Sequence, residues 1–357
     1  MKILAIESSC DETAAAVIED GVTILGSAVA TSAAMHEKYG GIVPEVAARE
    51  QLKCVIPTIK EALNQSKTTL ESIDSLAVTV GPGLIGSLLI GVETAKTVAL
   101  TTRKPIIPVN HVLAHMYANF VDSSPFTVHS DKPSTVNRQP ITFPSISLVV
   151  SGGHTELFLM TNKKDLKWLG GTLDDAAGEA FDKTARLLGF GSRGGVAIQE
   201  SAGKFESDNS KIVSRLPRPM LDENNFLNFS FSGLKTAILR EVNKIKENNR
   251  FTDATIQELA FEVQESITDV LVKKTLRAVK QYNAKSIMIS GGVAANLRLR
   301  EKFLTTIQDE QLVLSFHVPP VQLCTDNAAY IASYAFFRGE PIDWHEINAI
   351  PDMSVEV

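Results

Sequence analysis

"SISLVVSGGHTELFLM", residues 145–160, is an apolar run, a polar turn and a second apolar run. Strand-forming residues on either side of a Ser-Gly-Gly turn read as a β-hairpin. The start of the chain repeats the pattern: "KILAIE" (2–7), the turn "SSCDET" (8–13) and "AAAVIED" (14–20). Two such hairpins, about half a chain apart, predict a duplicated architecture. Strands and helices alternate around them. "SLAVTV" (75–80) ends in "GPG" and precedes the helical run "SLLIGVETAKTVALTT" (87–102). "PIIPVN" (105–110) is a short strand. "IQELAFEVQESITDVLVKKTLRAVKQYN" (256–283) has long helical periodicity, and strand "AKSIMIS", turn "GGVAAN" and helix "LRLREKFLTTI" follow it. This alternation predicts an α/β fold of largely parallel sheets with helices outside.

The 357 residues suffice for two cores. At 44% hydrophobic and 21% charged the composition is that of a globular protein. The start of the chain reads as a strand, without the apolar region of a signal peptide, and no apolar stretch is long enough to span a membrane. Three widely spaced cysteines, Cys10, Cys54 and Cys324, predict a reducing compartment, with neither a disulfide framework nor a CxxC zinc ribbon. A net charge of −6 is the wrong sign for a protein held on nucleic acid by charge alone. The basic pieces "RLPRP" (215–219) and "LRLR" (297–300) are small. Residues 121–144 are rich in Ser, Thr, Pro and Asn and predict a surface loop or linker, in which His129 is a solvated residue.

Chemistry collects at three features. The first is "VNHVLAHMYANF" (109–120), which places His111 and His115 four residues apart on one helical face. Two imidazoles so placed can share a metal ion, but the pair is incomplete without a third ligand. The second is a set of four glycine-rich turns: "VGPGLIGS" (80–87), "VVSGGHTE" (149–156), "FGSRGGVAIQ" (190–199) and "ISGGVAAN" (289–296). Glycines after strands let backbone amides approach a phosphate, which points to a nucleotide. Neither a P-loop nor a dinucleotide fingerprint is present. The third is a pair of carboxylates. Asp182, in "TLDDAAGEAFDKTARLLGF", shares a helical side with Gly178 and is either a ribose acceptor or a surface acid. Asp326, in "LCTDNAAYIASYAFF", is either an N-cap or the missing metal ligand.

Nine stretches in one order, "IESSCDET", "HEKYGGIVPEVAARE", "VGPGLIGSLLIG", "NHVLAH", "LVVSGGHTEL", "DDAAGEAFDK", "FSGLKTA", "SGGVAANLRLR" and "CTDNAAYIA", resemble the tRNA N6-adenosine threonylcarbamoyltransferases of the bacterial TsaD type. The resemblance implies an actin-like, sugar-kinase-like fold with two duplicated lobes. We expect 1–108 plus 325–357 to form the N-terminal lobe, 109–144 the metal helix and polar linker, and 145–324 the C-terminal lobe. It implies that His111, His115 and Asp326 bind one divalent metal, iron(II) before zinc. It also implies that Val149, Val150, Ser151, Gly152 and Gly153 line the nucleotide site, with Asp182, Gly195 and Asn296 holding ribose and base. The implied reaction moves a threonylcarbamoyl group from threonylcarbamoyl-AMP to N6 of adenosine 37 in tRNAs reading codons that begin with A. The implied partners are a paralogous actin-like subunit of the TsaB type and a small ATPase of the TsaE type, or a second copy in a homodimer, in the cytoplasm. Asp11 and Glu12, in the first hairpin turn, are candidate bases for the amine proton, although either could merely fix the turn. The insertion at 121–144 looks longer than the family's usual connection.

Two other classes remain. The HxxxH pair with a distant acid fits a metallopeptidase, a label such proteins have carried, but no HExxH glutamate is present to act as base. A non-catalytic actin-like scaffold would need no metal triad.

Overall fold

The computed structural model describes residues 1–36, 39, 41–122, 140–191, 194–205, 215–221 and 227–357. Most of the predicted loop at 121–144, His129 included, and Ser192 and Arg193 of the third glycine turn lie outside the described residues. The chain divides into two units: Met1–Val136 with Lys163–Asp165 and Val318–Val357, and Asn137–Asn162 with Leu166–His317.

The first unit is built on a five-stranded sheet of order β3-β2-β1-β4-β5. Its strands are β1 (Lys2–Glu7), β2 (Glu12–Glu19), β3 (Thr23–Thr31), β4 (Ser75–Gly81) and β5 (Ile106–Asn110). The predicted hairpin is β1 and β2, paired antiparallel from Lys2–Glu19 to Glu7–Ala14. β3 pairs antiparallel with β2, whereas β4 runs parallel to β1 and β5 to β4. The sheet is therefore mixed, not largely parallel. β3, "TILGSAVAT", is a half-exposed edge strand, and small residues without a clear alternation hide it in the sequence. Helix Pro44–Ser66 lies on it, so close at Gly26 that a Cβ there would collide with the Ala62 carbonyl.

The second unit repeats this plan. Its strands are β6 (Ser145–Val150), β7 (Thr155–Met160), β8 (Leu166–Gly171), β9 (Ser286–Ser290) and β10 (Ser315–His317), in the order β10-β9-β6-β7-β8. β6 and β7 are the second predicted hairpin, β8 extends it antiparallel, and β9 and β10 continue parallel. Strand for strand, β6 to β10 follow the connectivity of β1 to β5, so the duplication predicted from two turns extends over both sheets. β4, β6 and β9 are buried along their whole length, as expected where both sheet faces are covered. Three of the glycine turns leave the carboxyl ends of these strands, the end at which ligands bind in α/β sheets.

An ion-pair network clamps helix Leu297–Asp309 to the long helix Asp253–Tyr282. Lys302 bridges Glu265 and Asp269 at 2.9 and 2.5 Å, Arg298 holds Glu265 at 2.7 Å, and Arg218 joins Glu262 and Asp269 at 2.9 and 3.0 Å. Arg300 donates to the Ala294 carbonyl. Three arginines of the two basic pieces in the sequence are thus committed to internal contacts. Burial pushes Glu265 and Asp269 up, but Arg298 and Lys302 on Glu265, and Lys302 and Arg218 on Asp269, outweigh it, and both are held below their ordinary 4.5 and 3.8. A depressed folded value means that the stabilisation is complete above those ordinary values and is lost as pH falls below them. We expect the urea midpoint to drop as pH falls below about 4.5. Asp269→Asn should cost about 1–2 kcal/mol at pH 7 and flatten that drop. A variant with the same acid profile as the parent would show that the network adds nothing.

Candidate metal centre and nucleotide cavity

In the first unit β5 ends at Asn110, whose carbonyl oxygen Oδ1 accepts from the amides of Val112 and Leu113 at 3.0 and 3.1 Å. This cap starts the single turn His111–His115 directly at the strand end. Both histidines are buried, 8% and 1% exposed, with ring centroids 4.7 Å apart. Asp326 precedes helix Ala328–Phe337 and does not cap it. Asn327 does, accepting from Ala329 and Tyr330 at 3.0 and 3.4 Å. The N-cap reading of Asp326 is thereby replaced: with the cap supplied by its neighbour, its carboxylate faces the histidines. Asp326 Oδ1 lies 3.6 Å from Nε2 of both His111 and His115.

These three donors lie within 4.8 Å of one another. Two ligands each about 2.1 Å from one ion stand roughly 3.0 Å apart at a right angle and roughly 3.4 Å apart at the tetrahedral angle. The two carboxylate–imidazole spacings of 3.6 Å are therefore close to those of a metal site, and two imidazoles with one carboxylate suit iron or zinc.

The groups behind the triad were not singled out in the sequence. Glu7, the buried last residue of β1, sits with Oε2 3.0 Å from His111 Nδ1. Thr79 Oγ1 donates to that oxygen at 2.5 Å, and the Ser9 amide donates to Oε1 at 2.6 Å. Ser9 Oγ lies 3.2 Å from the same imidazole nitrogen. A carboxylate on the far nitrogen fixes the ring and turns Nε2 toward the ligand position. Its signal in the sequence was a glutamate ending an otherwise apolar strand. Tyr330 donates to Asp326 Oδ1 at 3.3 Å and packs its ring 4.6 Å from that of His115. Burial opposes charge on both Glu7 and His111, but each stabilises the other: Glu7 stays below its ordinary value, and His111 is raised to about 9 by Glu7 and Asp326. Asp326 is pushed up by burial, with Glu7 and Asp11 adding to it. Carboxyl groups are thus crowded in a buried place, where a bound cation favours their charged forms.

Asp11 and Glu12 stand beside this centre. Glu12 is pushed up to about 9, by burial first and then by the charges of Asp326 and Asp11, and the two carboxyls share a hydrogen bond. Gln51 holds the turn from below, donating to the carbonyls of Cys10 and Glu12 at 3.0 and 2.9 Å.

In the second unit three glycine turns meet. Gly152, Gly178, Asp182, Gly195, Gln199, Gly292 and Asn296 line a cavity of about 230 Å³, together with Phe181 and small apolar residues. Among the described residues, a Cβ added at Gly152, Gly195 or Gly292 would meet nothing beyond its own local backbone within 4 Å, so these backbones border open space. Gly178 differs: a Cβ there would collide with the Ser151 carbonyl, which accepts from the Gly178 amide at 3.2 Å. Asp182 is raised by burial, against hydrogen bonds from the Gly194 and Gly195 amides that favour its charge. Asn296 caps helix Leu297–Asp309 through Oδ1 at 2.9 Å and donates to Gln264 at 3.1 Å. Val149 and Val150 are wholly buried in β6, Ser151 closes the turn, and Gly153 is exposed; none of the four is among the lining residues. The remaining glycine turn, 80–87, belongs to the first unit and is filled, since a Cβ on Gly83 would come 2.5 Å from the Ser9 carbonyl.

A duplicated strand plan, a His-His-Asp set in one unit and a glycine-lined cavity in the other define an actin-like α/β protein with the parts of an enzyme. Solved structures agree on the fold. HypF from T. kodakarensis superposes with a TM-score of 0.55 over 94% of this chain and 47% of its own, at 14% identity. Component A of the Acidaminococcus fermentans (R)-2-hydroxyglutaryl-CoA dehydratase gives 0.50 over 94% and 98%, also at 14%. The sequence is more specific. The family profile described as TsaD, tRNA N6-adenosine threonylcarbamoyltransferase, matches residues 23–333. Proteins of that name from Persephonella marina and Dehalococcoides mccartyi are 44% and 43% identical, over 95% and 99% of this chain and 90% and 99% of theirs. The chain belongs to the tRNA N6-adenosine threonylcarbamoyltransferase family, and it is a transferase of tRNA modification. Among the described residues no helix is long and apolar enough to cross a membrane.

Proposed function

We propose that this protein transfers a threonylcarbamoyl group from threonylcarbamoyl-AMP to N6 of adenosine 37 in tRNAs that read codons beginning with A, in the cytoplasm. The observation that carries the reading is the open cavity lined by Gly152, Gly195 and Gly292 with Asp182 at its wall, which suits the adenylate of the donor. Asp182 and Asn296 would meet ribose and base, and the backbone of the 149–153 turn the phosphate. His111, His115 and Asp326 would hold one divalent ion, iron(II) before zinc, oriented by Glu7 and Ser9. When bound, such an ion supplies Lewis-acid stabilisation of negative charge.

In the transfer, the N6 amine forms a bond to the carbamoyl carbon. The bond from that carbon to the AMP oxygen breaks, AMP departs with the electron pair, and the amine gives up a proton. Burial and the charges of Asp326 and Asp11 push Glu12 up to about 9, which favours its protonated form, and we assign the role of proton acceptor to Asp11. Asp11→Asn should lower turnover about 10²-fold with little change in donor affinity, and Glu12→Gln far less. Equal losses in the two variants would remove this assignment.

A paralogous actin-like subunit of the TsaB type and a small ATPase of the TsaE type are the proposed partners, with a homodimer as the alternative. Leu52 and Ile56 on helix Pro44–Ser66, and Ile85 and Leu89 on helix Ile85–Thr102, leave large apolar side chains exposed, as a partner-covered surface would. The test is to incubate the protein with threonylcarbamoyl-AMP and unmodified tRNA, with and without these partners. The digested tRNA is then searched for the threonylcarbamoyl nucleoside by mass spectrometry. Product dependent on the target adenosine is expected; no product with every partner present would overturn the reading.

A further inference from the structure

We infer that residues 347–354 form a strap that sets the position of His111 from two sides, which makes Asn110 and this strap positioning elements of the metal centre. The inference rests on the metal reading above. The strap crosses the carboxyl ends of β4 and β5. The Ile350 amide donates to the Val80 carbonyl at 2.7 Å, and the Gly83 amide donates to the Pro351 carbonyl at 3.1 Å. Ile347 is buried in the core, with Ala349 and Met353 packed against it.

The first route to the histidine runs through Asn110, which is 3% exposed. Its Nδ2 donates to the Ser354 carbonyl at 3.0 Å, while its Oδ1 caps the histidine turn. One amide therefore ties the strap to the start of a helix only five residues long. So short a helix has almost no stability of its own, and its orientation depends on what holds its ends. The second route runs through the GPG turn. Gly81 admits the strap, since a Cβ there would collide with the Ile350 carbonyl. On its other side the turn supports the first hairpin turn: the Leu84 amide donates to the Ser9 carbonyl at 2.8 Å. Ser9 in turn places its hydroxyl 3.2 Å from His111 Nδ1. The strap thus reaches both the backbone that carries His111 and a group that orients its ring.

The test is a titration of the metal-free protein with cobalt(II), followed by visible absorption, a spectrum sensitive to ligand geometry. Asn110→Ser keeps a capping hydroxyl but cannot reach Ser354, and Ile350→Pro removes the amide that holds the strap on β4. Val313→Ala, at a fully exposed position of the second unit, is the control. Both strap variants should bind cobalt about ten-fold more weakly with an altered spectrum, while the control keeps the parent's values. Their metal-free thermal midpoints should stay within a few degrees of the parent. Parental affinity and spectrum in both variants would overturn the strap alone, as would an affinity loss matched by general destabilisation. If Asn110→Ser does not fold, Ile350→Pro decides the matter. A parent protein that takes up no cobalt would overturn the metal reading, and the strap with it.

Discussion

Asp326→Ala is expected to leave a folded protein that retains little metal and modifies tRNA roughly 10²–10³-fold more slowly, the scale of several kcal/mol of charge stabilisation. The fold should survive because the helix after it is capped by Asn327, not by Asp326. Burial makes the charged form of Asp326 costly when no ion is bound, so the metal-free variant should be no less stable than the parent. The loss should appear in the chemical step and not in tRNA affinity, which separates it from a general defect. Elemental analysis, a melting curve and single-turnover kinetics check the three statements. Full activity in metal-free Asp326→Ala protein would remove the ion from the reaction.

Gly195→Leu should abolish binding of AMP to the second unit, by roughly a hundred-fold or more, because the new side chain grows into the cavity. Among the described residues nothing outside its own helix and chain neighbours lies within 4 Å of the first added carbon, so the fold has no reason to shift. Gly178→Ala makes the contrast. Its methyl would be driven into the Ser151 carbonyl, and this variant should lose stability before it loses affinity for any simple steric reason. Calorimetry with AMP, beside thermal melts, distinguishes the two. An unchanged affinity in Gly195→Leu would place the nucleotide elsewhere.

The two hairpins, the buried parallel strands and the long helices were legible in the sequence because each carries a local period: two for a strand, 3.6 for a helix, broken by glycine or proline. The His111–His115 pair was legible for the same reason, since four residues make one helical turn wherever the helix lies. β3 and β8 were not legible. As edge strands they are half exposed, and their pattern is set by the neighbours they pair with. The glycine turns were recognisable as turns, but their residues did not reveal which were open. Gly195 borders space and Gly83 is filled by the Ser9 backbone, a difference made by atoms more than seventy positions away. Asp326 shows the division most plainly. Its residue type and its place before an apolar helix allowed both a cap and a ligand. The tertiary structure decides between them by giving the cap to Asn327 and bringing the carboxylate to histidines more than two hundred residues earlier. Glu7 was hidden because nothing in a strand's own sequence says what its last side chain will touch. A carboxylate buried without a partner would be too costly to keep, and only the folded chain shows that its partner is His111.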